Sequence, residues 1–383
     1  MTGRTRASEV ERRRLNDTFA QLCAIRSPFG EERAVADRVT ADLRALGLEV
    51  EEDDTAGVTG AGSGNLLARI PGRAERTVLF CAHLDTVPHA GVVEPVCEEG
   101  AWTSAGDTIL GADNKAAVAV LLEVARRCTA PATGPPPVGL ELLFTASEEN
   151  ALAGSKAFDA SRLRADLGYV FDQATPIGGI VMASPTAYRI EAAFHGRSAH
   201  AGIRPEDGRS AIVAAARAIA ALQLGRIDEG TTANVGSITG GTGGTNVVAE
   251  HASFLAEARS LDEARVEALV AGMVDAIHDA ANEPVCACDV DVDVRRVFTG
   301  YRHAGTQPSV VAAEAALRAC GHEPSRIVTG GGSDANALEA QGLPVTNLAN
   351  GTERNHEPTE RVTVAALEGM LDVALALLDE LGG

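Results

Sequence analysis

The chain has 383 residues, 45% of them hydrophobic and 3% aromatic, with a formal net charge of −20 at pH 7. That length supports a large core and two domains. The acidic balance excludes nucleic-acid binding as the main activity, and no apolar run approaches the roughly 18 residues of a membrane span. Seven cysteines (Cys23, Cys81, Cys97, Cys128, Cys286, Cys288 and Cys320) form an odd set without a C-x-x-C spacing. Mostly in apolar contexts, they are expected to be reduced, buried thiols of a cytoplasmic protein.

In chain order, the basic opening MTGRTRASEVERRRLND lacks an apolar h-region and reads as the solvated lead-in to a helix, not as a secretory signal. TVLFCAH (77–83) and GLELLFTAS (139–147) read as buried strands, with a helix over ADNKAAVAVLLEVARRC (112–128) and a Pro/Gly-rich loop at 130–139 between them. LGYVFD (167–172) is a further strand that ends in an acid. This alternation predicts a parallel sheet covered by helices.

From about Thr186 the rhythm changes. TAYRIEAAFHG, TTANVGSIT, HASFLAEARS and DVDVDVRRV read as strands; GRSAIVAAARAIAALQ and residues 262–282 read as helices. These form an inserted α+β unit of about a hundred residues. The α/β pattern resumes through VAAEAALRACG, GGGSDANALEAQG and LPVTNLANG, and a helix over 362–381 closes the chain. The predicted fold is therefore α/β: a mixed, mostly parallel sheet with helices on both faces (1–185 and 299–383), plus an inserted α+β domain (186–298).

Polar groups gather where the predicted strands end. His83 and Asp85 follow TVLFCA, Asp113 lies in LGADNKAA, and Glu148 and Glu149 follow LLFTAS. Asp172 follows GYVF, and His356 lies in GTERNHEPTE. Ligands of open α/β sheets bind at the carboxyl ends of strands, so separate segments can converge there. Imidazole and carboxylate without thiolate suit Zn²⁺, Mn²⁺ or Co²⁺. Each residue also has an ordinary structural alternative, such as a helix-capping role for Asp113. Their joint occurrence at successive strand ends favours a metal site.

The motifs HLDT, LGADNKA, SEEN, the strand-terminal Asp172 and NHEPTE resemble the metal-dependent M20 aminoacylase/carboxypeptidase family. HGRSAHAGIRPEDGRSAI and GGTGGTNVVAEHASFLAEARSLD resemble that family's lid, or dimerisation, domain. Within the family the chain is most similar to peptidase T-like tripeptidases. The resemblance implies one metal held by His83, Asp113 and Asp172, and a second by Asp113, Glu149 and His356, with Asp113 bridging. It implies that Asp85 orients His83, and that Glu148 is the general base acting on a metal-bridging water.

His200 matches a lid histidine that the family supplies as a carbonyl or oxyanion donor, often from a partner subunit. Asn246 and Arg259 match positions that hold a substrate carboxylate, and Gly331 and Gly332 lie in a loop expected to line the substrate site. Asn114 stands where the family commonly has a second aspartate, and a cis peptide often follows the bridging aspartate. The other histidines (His89, His195, His251, His278, His303 and His322) are assigned no role. Arg259 has an ordinary alternative as an ion-pair partner of Glu257 or Asp262.

The implied activity is removal of the N-terminal residue from a short peptide, with two divalent cations, most simply Zn²⁺, in a homodimer formed through the lid. Two alternatives stand beside it. One is an M20 amidohydrolase or dipeptidase acting on dipeptides, N-acyl or N-carbamoyl amino acids; the other is a catalytically inactive metal- or peptide-binding protein. No nucleic-acid or membrane partner is expected.

Overall fold

The computed structural model describes residues 6–241 and 243–382. The chain divides into two compact units, residues 1–182 with 302–383 and residues 183–301.

The larger unit is built on a mixed nine-stranded sheet. From one edge its strands are Val50–Glu52, Leu66–Ile70, Gly139–Thr145, Thr77–His83, Leu167–Gln173, Val345–Ala349, Gly179–Ser184 and Tyr301–Arg302, with Ser325–Val328 pairing beside Gly179–Ser184. The middle four, Gly139–Thr145 through Val345–Ala349, are mutually parallel, whereas Val50–Glu52 and Leu66–Ile70 run antiparallel to their neighbours and Gly179–Ser184 runs antiparallel to Val345–Ala349. The parallel strands are buried along nearly their whole length, because helices cover both faces; hence their continuous apolar runs. Phe80, Tyr169 and Phe171 pack edge to face within this core.

The helix Ala112–Thr129 is buried almost throughout and packs against Glu9–Cys23 and Val364–Gly382. The closing helix begins at Val364 because Arg361–Thr363 is diverted into a strand against Ala101–Ser104. That strand belongs to a separate four-stranded sheet, whose members are two to four residues long. Such lengths are too short to impose a readable hydrophobic period.

The smaller unit is an antiparallel five-stranded sheet in the order Gly225–Asp228, Thr231–Gly240, His251–Ser260, Thr186–His195 and Asp289–Phe298. Alternate residues such as Ile190, Ala192, Phe194, Phe254 and Ala256 face the helices Ala211–Ala221 and Glu263–Asn282. The seven cysteines are free thiols, and all but the exposed Cys97 are buried. Among the described residues no helix is long and apolar enough to cross a membrane.

Candidate metal centre

The parallel register brings the ends of the middle strands level: His83 lies opposite Thr145, and Phe171 opposite Leu348. Chain continuations beyond those points therefore meet on one side of the sheet. Asp172 occupies an irregularity in the ladder, since Leu348 pairs with Phe171 but Ala349 pairs with Gln173. A bulge re-aims the skipped side chain. Asn347 on the adjacent strand fixes the Asp172 backbone, accepting from its amide at 3.0 Å and donating to its carbonyl at 3.2 Å.

After Thr145 the chain turns through Ser147, whose φ of +53° lies in the left-handed region. A non-glycine residue holds that conformation only when its surroundings enforce it. Here Glu32, fully buried, accepts from the Ser147 amide at 3.1 Å and its hydroxyl at 2.9 Å. Asp85, also fully buried, then accepts the amide of Glu148 at Oδ1 (2.9 Å) and that of Glu149 at Oδ2 (3.0 Å). These bonds hold the two adjacent glutamates in a fixed turn. His83 Nδ1 lies 3.0 Å from the carbonyl oxygen of Asp85 and 3.5 Å from its carboxylate. The carbonyl thus orients the ring, while the carboxylate holds the glutamate backbone.

Asp113 lies at the start of the helix Ala112–Thr129, where Asp113 and Asn114 depart from helical geometry and the peptide between them is cis. Its Oδ1 is 3.4 Å from His83 Nε2 and its Oδ2 is 3.3 Å from His356 Nε2. The same His83 nitrogen is 3.7 Å from Asp172 Oδ1, and the same His356 nitrogen is 2.9 Å from Glu149 Oε1. His83, Asp113 and Asp172 offer ligand atoms within 4.8 Å of one another, as do Asp113, Glu149 and His356, and also His83, Glu148 and Glu149. One carboxylate thus presents an oxygen to each of two imidazole-bearing groups.

The charge balance calls for cations. Burial pushes Glu148 well above the ordinary carboxylate range, with Asp172 adding to the effect. Burial and then Asp113 raise Asp172 to about 8. Asp113 and then Glu149 raise His356 to about 10. Burial opposes a charged His83, yet Asp113, Asp172 and Asp85 outweigh it and lift that imidazole well above its usual value. Burial likewise opposes an ionised Asp113, but His356 and His83 hold it below its usual range. Protons thus supply positive charge that this acidic cluster lacks. Asp113 Oδ1 is buried and has no hydrogen-bond partner among the described residues. Burying such an oxygen unpaired is costly, so the donor set fits divalent cations.

Of the other candidates, Gly331 and Gly332 lie in the larger unit, in the loop before the helix Asp334–Ala340. That loop connects to Asp172 through Ser333, whose hydroxyl accepts from Asn347. His200, Asn246 and Arg259 lie in the smaller unit. There His200 and Asn246 are exposed, while Arg259 pairs with Glu257 at 2.9 Å and lies over the Phe298 ring.

Sequence reasoning missed Glu32, Asp334 and Glu360, all buried beneath these segments. Glu32 and Asp334 read as acids at helix starts. Asp334 instead accepts from the Thr145 hydroxyl. Glu360 reads as a loop acid, yet it receives three backbone amides.

Sequence comparison adds two domain matches: the peptidase dimerisation domain of M20 enzymes over residues 186–284, and peptidase family M28 over residues 65–178. The uncharacterized protein YqjE of Bacillus subtilis is 37% identical, the alignment covering 97% of this chain and 99% of that protein. Aminopeptidase PepT from Bacillus cereus is 38% identical, with a TM-score of 0.85 over 97% of this chain and 99% of its own. The chain belongs to the M20 peptidase family. Within the family it stands near peptidase T, and a Staphylococcus aureus tripeptidase matches at 34% identity and a TM-score of 0.90 over 97% of this chain and 98% of its own. It is accordingly a metal-dependent exopeptidase. The M28 match falls on the segment that carries His83, Asp113, Glu148, Glu149 and Asp172.

Proposed function

We propose that the protein removes the N-terminal residue from short peptides, tripeptides above all, at a pair of divalent cations. The observation that carries this reading is Asp113, whose two oxygens address separate imidazoles while one of them stays buried without a hydrogen bond from the described residues. His83, Asp113 and Asp172 would hold one cation, and Asp113, Glu149 and His356 the other; Zn²⁺, Mn²⁺ and Co²⁺ all suit these donors. When bound, such cations supply the positive charge that acidifies water and polarises a scissile carbonyl.

Glu148 is left over from both sets and serves as general base. Its burial raises the carboxyl pKa, which suits a group that must take a proton from attacking water and return it to the leaving amine near neutral pH. Asp85 positions Glu148 and Glu149 through their backbone amides. His200, Asn246 and Arg259 are assigned to the substrate's carbonyl and carboxylate groups, and Gly331 and Gly332 to its backbone. Tripeptide preference rests on the likeness to the Staphylococcus aureus tripeptidase and to PepT. We assign a homodimer through the smaller unit from its match to the peptidase dimerisation domain. The free thiols support a cytoplasmic setting.

The test is product analysis from a free tripeptide with Zn²⁺, Mn²⁺ or Co²⁺ supplied, beside a chelated sample and Glu148→Ala. Release of the N-terminal residue, lost in both controls, supports the proposal. Turnover confined to dipeptides or N-acyl amino acids would keep the chemistry and overturn the tripeptidase reading.

A further inference from the structure

Glu360 lies four residues beyond His356 and is 1% exposed. Its Oε2 accepts the amides of Leu110 (2.9 Å) and Gly111 (2.7 Å), and its Oε1 accepts that of Asp113 (2.8 Å). One carboxylate therefore takes three donors from the turn that delivers Asp113. That turn does not support itself: Gly111 is left-handed at φ +73°, and Asp113 and Asn114 have non-helical angles. Buried amides need acceptors, and here they come from a distant segment.

The same segment carries His356, itself at φ +69°. Glu360 is anchored in turn, its amide donating to the Glu357 carbonyl at 3.0 Å, and the next residues, Arg361–Thr363, pair with Ala101–Ser104. The Asp113 turn and the His356 loop are thus joined at Glu360 as well as at the facing side chains.

We propose that Glu360 is a positioning residue. Through the amides of Leu110, Gly111 and Asp113 it sets the separation of Asp113 and His356, and so the cation affinity of the group these two share with Glu149. This inference rests on the metal assignment made above. Charge and length both matter. Glutamine has one acceptor oxygen, so either orientation of its amide turns an NH₂ against a backbone N–H. Aspartate is one methylene too short to serve both sides of the turn.

The experiment is a calorimetric Zn²⁺ titration of the metal-free full chain, comparing wild type, Glu360→Gln, Glu360→Asp, His356→Ala and Glu141→Gln. Glu141 is the control for a buried carboxylate away from the centre. It is 1% exposed and accepts the amides of Arg164 and Ala165 at 2.8 and 2.9 Å. Thermal unfolding of each metal-free variant is recorded in parallel.

Substituting a group that orients a ligand typically weakens metal binding by about 10–100-fold. Glu360→Gln is expected to weaken by that factor the same zinc equivalent that His356→Ala removes, with a smaller loss for Glu360→Asp. Glu141→Gln is expected to lower the unfolding temperature and leave both affinities in place. Unchanged zinc affinity in Glu360→Gln would overturn the proposal. So would equal losses in Glu360→Gln and Glu141→Gln, which would reduce Glu360 to general stability. Should Glu360→Gln fail to fold, Glu360→Asp decides by the same readout. A wild type that takes up no zinc, manganese or cobalt would instead remove the metal assignment itself.

Discussion

Replacing Asp85 by asparagine separates two roles that its position allows. The fully buried carboxylate accepts the Glu148 amide at one oxygen and the Glu149 amide at the other. Asparagine keeps one acceptor and turns an NH₂ against the second amide. A hydrogen bond to a charged group contributes about 1.5–3 kcal/mol, and a buried donor left without a partner costs about 1–3 kcal/mol. With partial relaxation, Asp85→Asn should lower stability by about 2–4 kcal/mol. In a chain of 383 residues that corresponds to roughly 2–5 °C in unfolding temperature.

The glutamate turn would also shift, and a displacement of about 1 Å at a reacting group costs on the order of 10²-fold in rate. His83 keeps its contact with the Asp85 carbonyl, so metal content should hold. Differential scanning calorimetry on chelated protein measures the first effect; kcat with metal content measured in the same sample gives the second. An unfolding temperature within about 1 °C of wild type, together with kcat within about twofold, would refute this reasoning. Metal loss with normal turnover per bound metal would show that the carboxylate acts on His83 instead.

Three further outcomes are expected. Glu148→Gln should reduce kcat by about 10²–10⁴-fold, the usual contribution of a general base, with metal stoichiometry unchanged; loss of metal along with activity would make Glu148 a ligand. Loading with Zn²⁺ at pH 7 should expel more than one proton per chain, because His356 (about 10) and Asp172 (about 8) are largely protonated without metal. Calorimetry in buffers of different ionisation enthalpy reads that number, and a value near zero would contradict the assigned ligands. Burial pulls Lys115 from 10.5 down to about 8. Between those two values the unfolded chain holds a proton that the folded chain has released, so this group makes stability rise with pH across that window. Chelated Lys115→Met should show a flatter rise, by up to about 1.4 kcal/mol per pH unit, in urea unfolding at pH 8 to 10; an unchanged slope would place the lysine charge in water.

Much of the candidate centre was legible because it depends on local pattern. Thr77–His83, Leu167–Gln173 and the strand beginning at Gly139 are short apolar runs bounded by polar residues, and a chain that buries both faces of a parallel strand writes it that way. Residues at the ends of such runs fall on one side of the sheet by topology alone, which is why His83, Glu148, Glu149 and Asp172 could be grouped before any coordinates. Four strands of the five-stranded sheet were equally readable, since period-two burial along His251–Ser260 follows from one covered face; the four-residue edge strand Gly225–Asp228 was not. The short strands at Pro95–Glu98 and Arg361–Thr363 were not, being too brief to show a period.

By itself, then, the sequence determined the fold class and the inserted unit and named the candidate ligands for a cation, because each rests on hydrophobic period or on a motif. Only the tertiary structure decided which atoms meet. It assigned one oxygen of Asp113 to His83 and the other to His356, moved Asp172 off the strand ladder, and turned Asp85 toward the glutamate backbone. It also buried Glu32, which in sequence reads as an acid at a helix start, and Glu360, which reads as a loop acid. The physical reason is that a carboxylate's partners here are backbone amides of remote segments. An amide has no residue-type signature, so no spacing in the sequence records that it needs an acceptor from elsewhere.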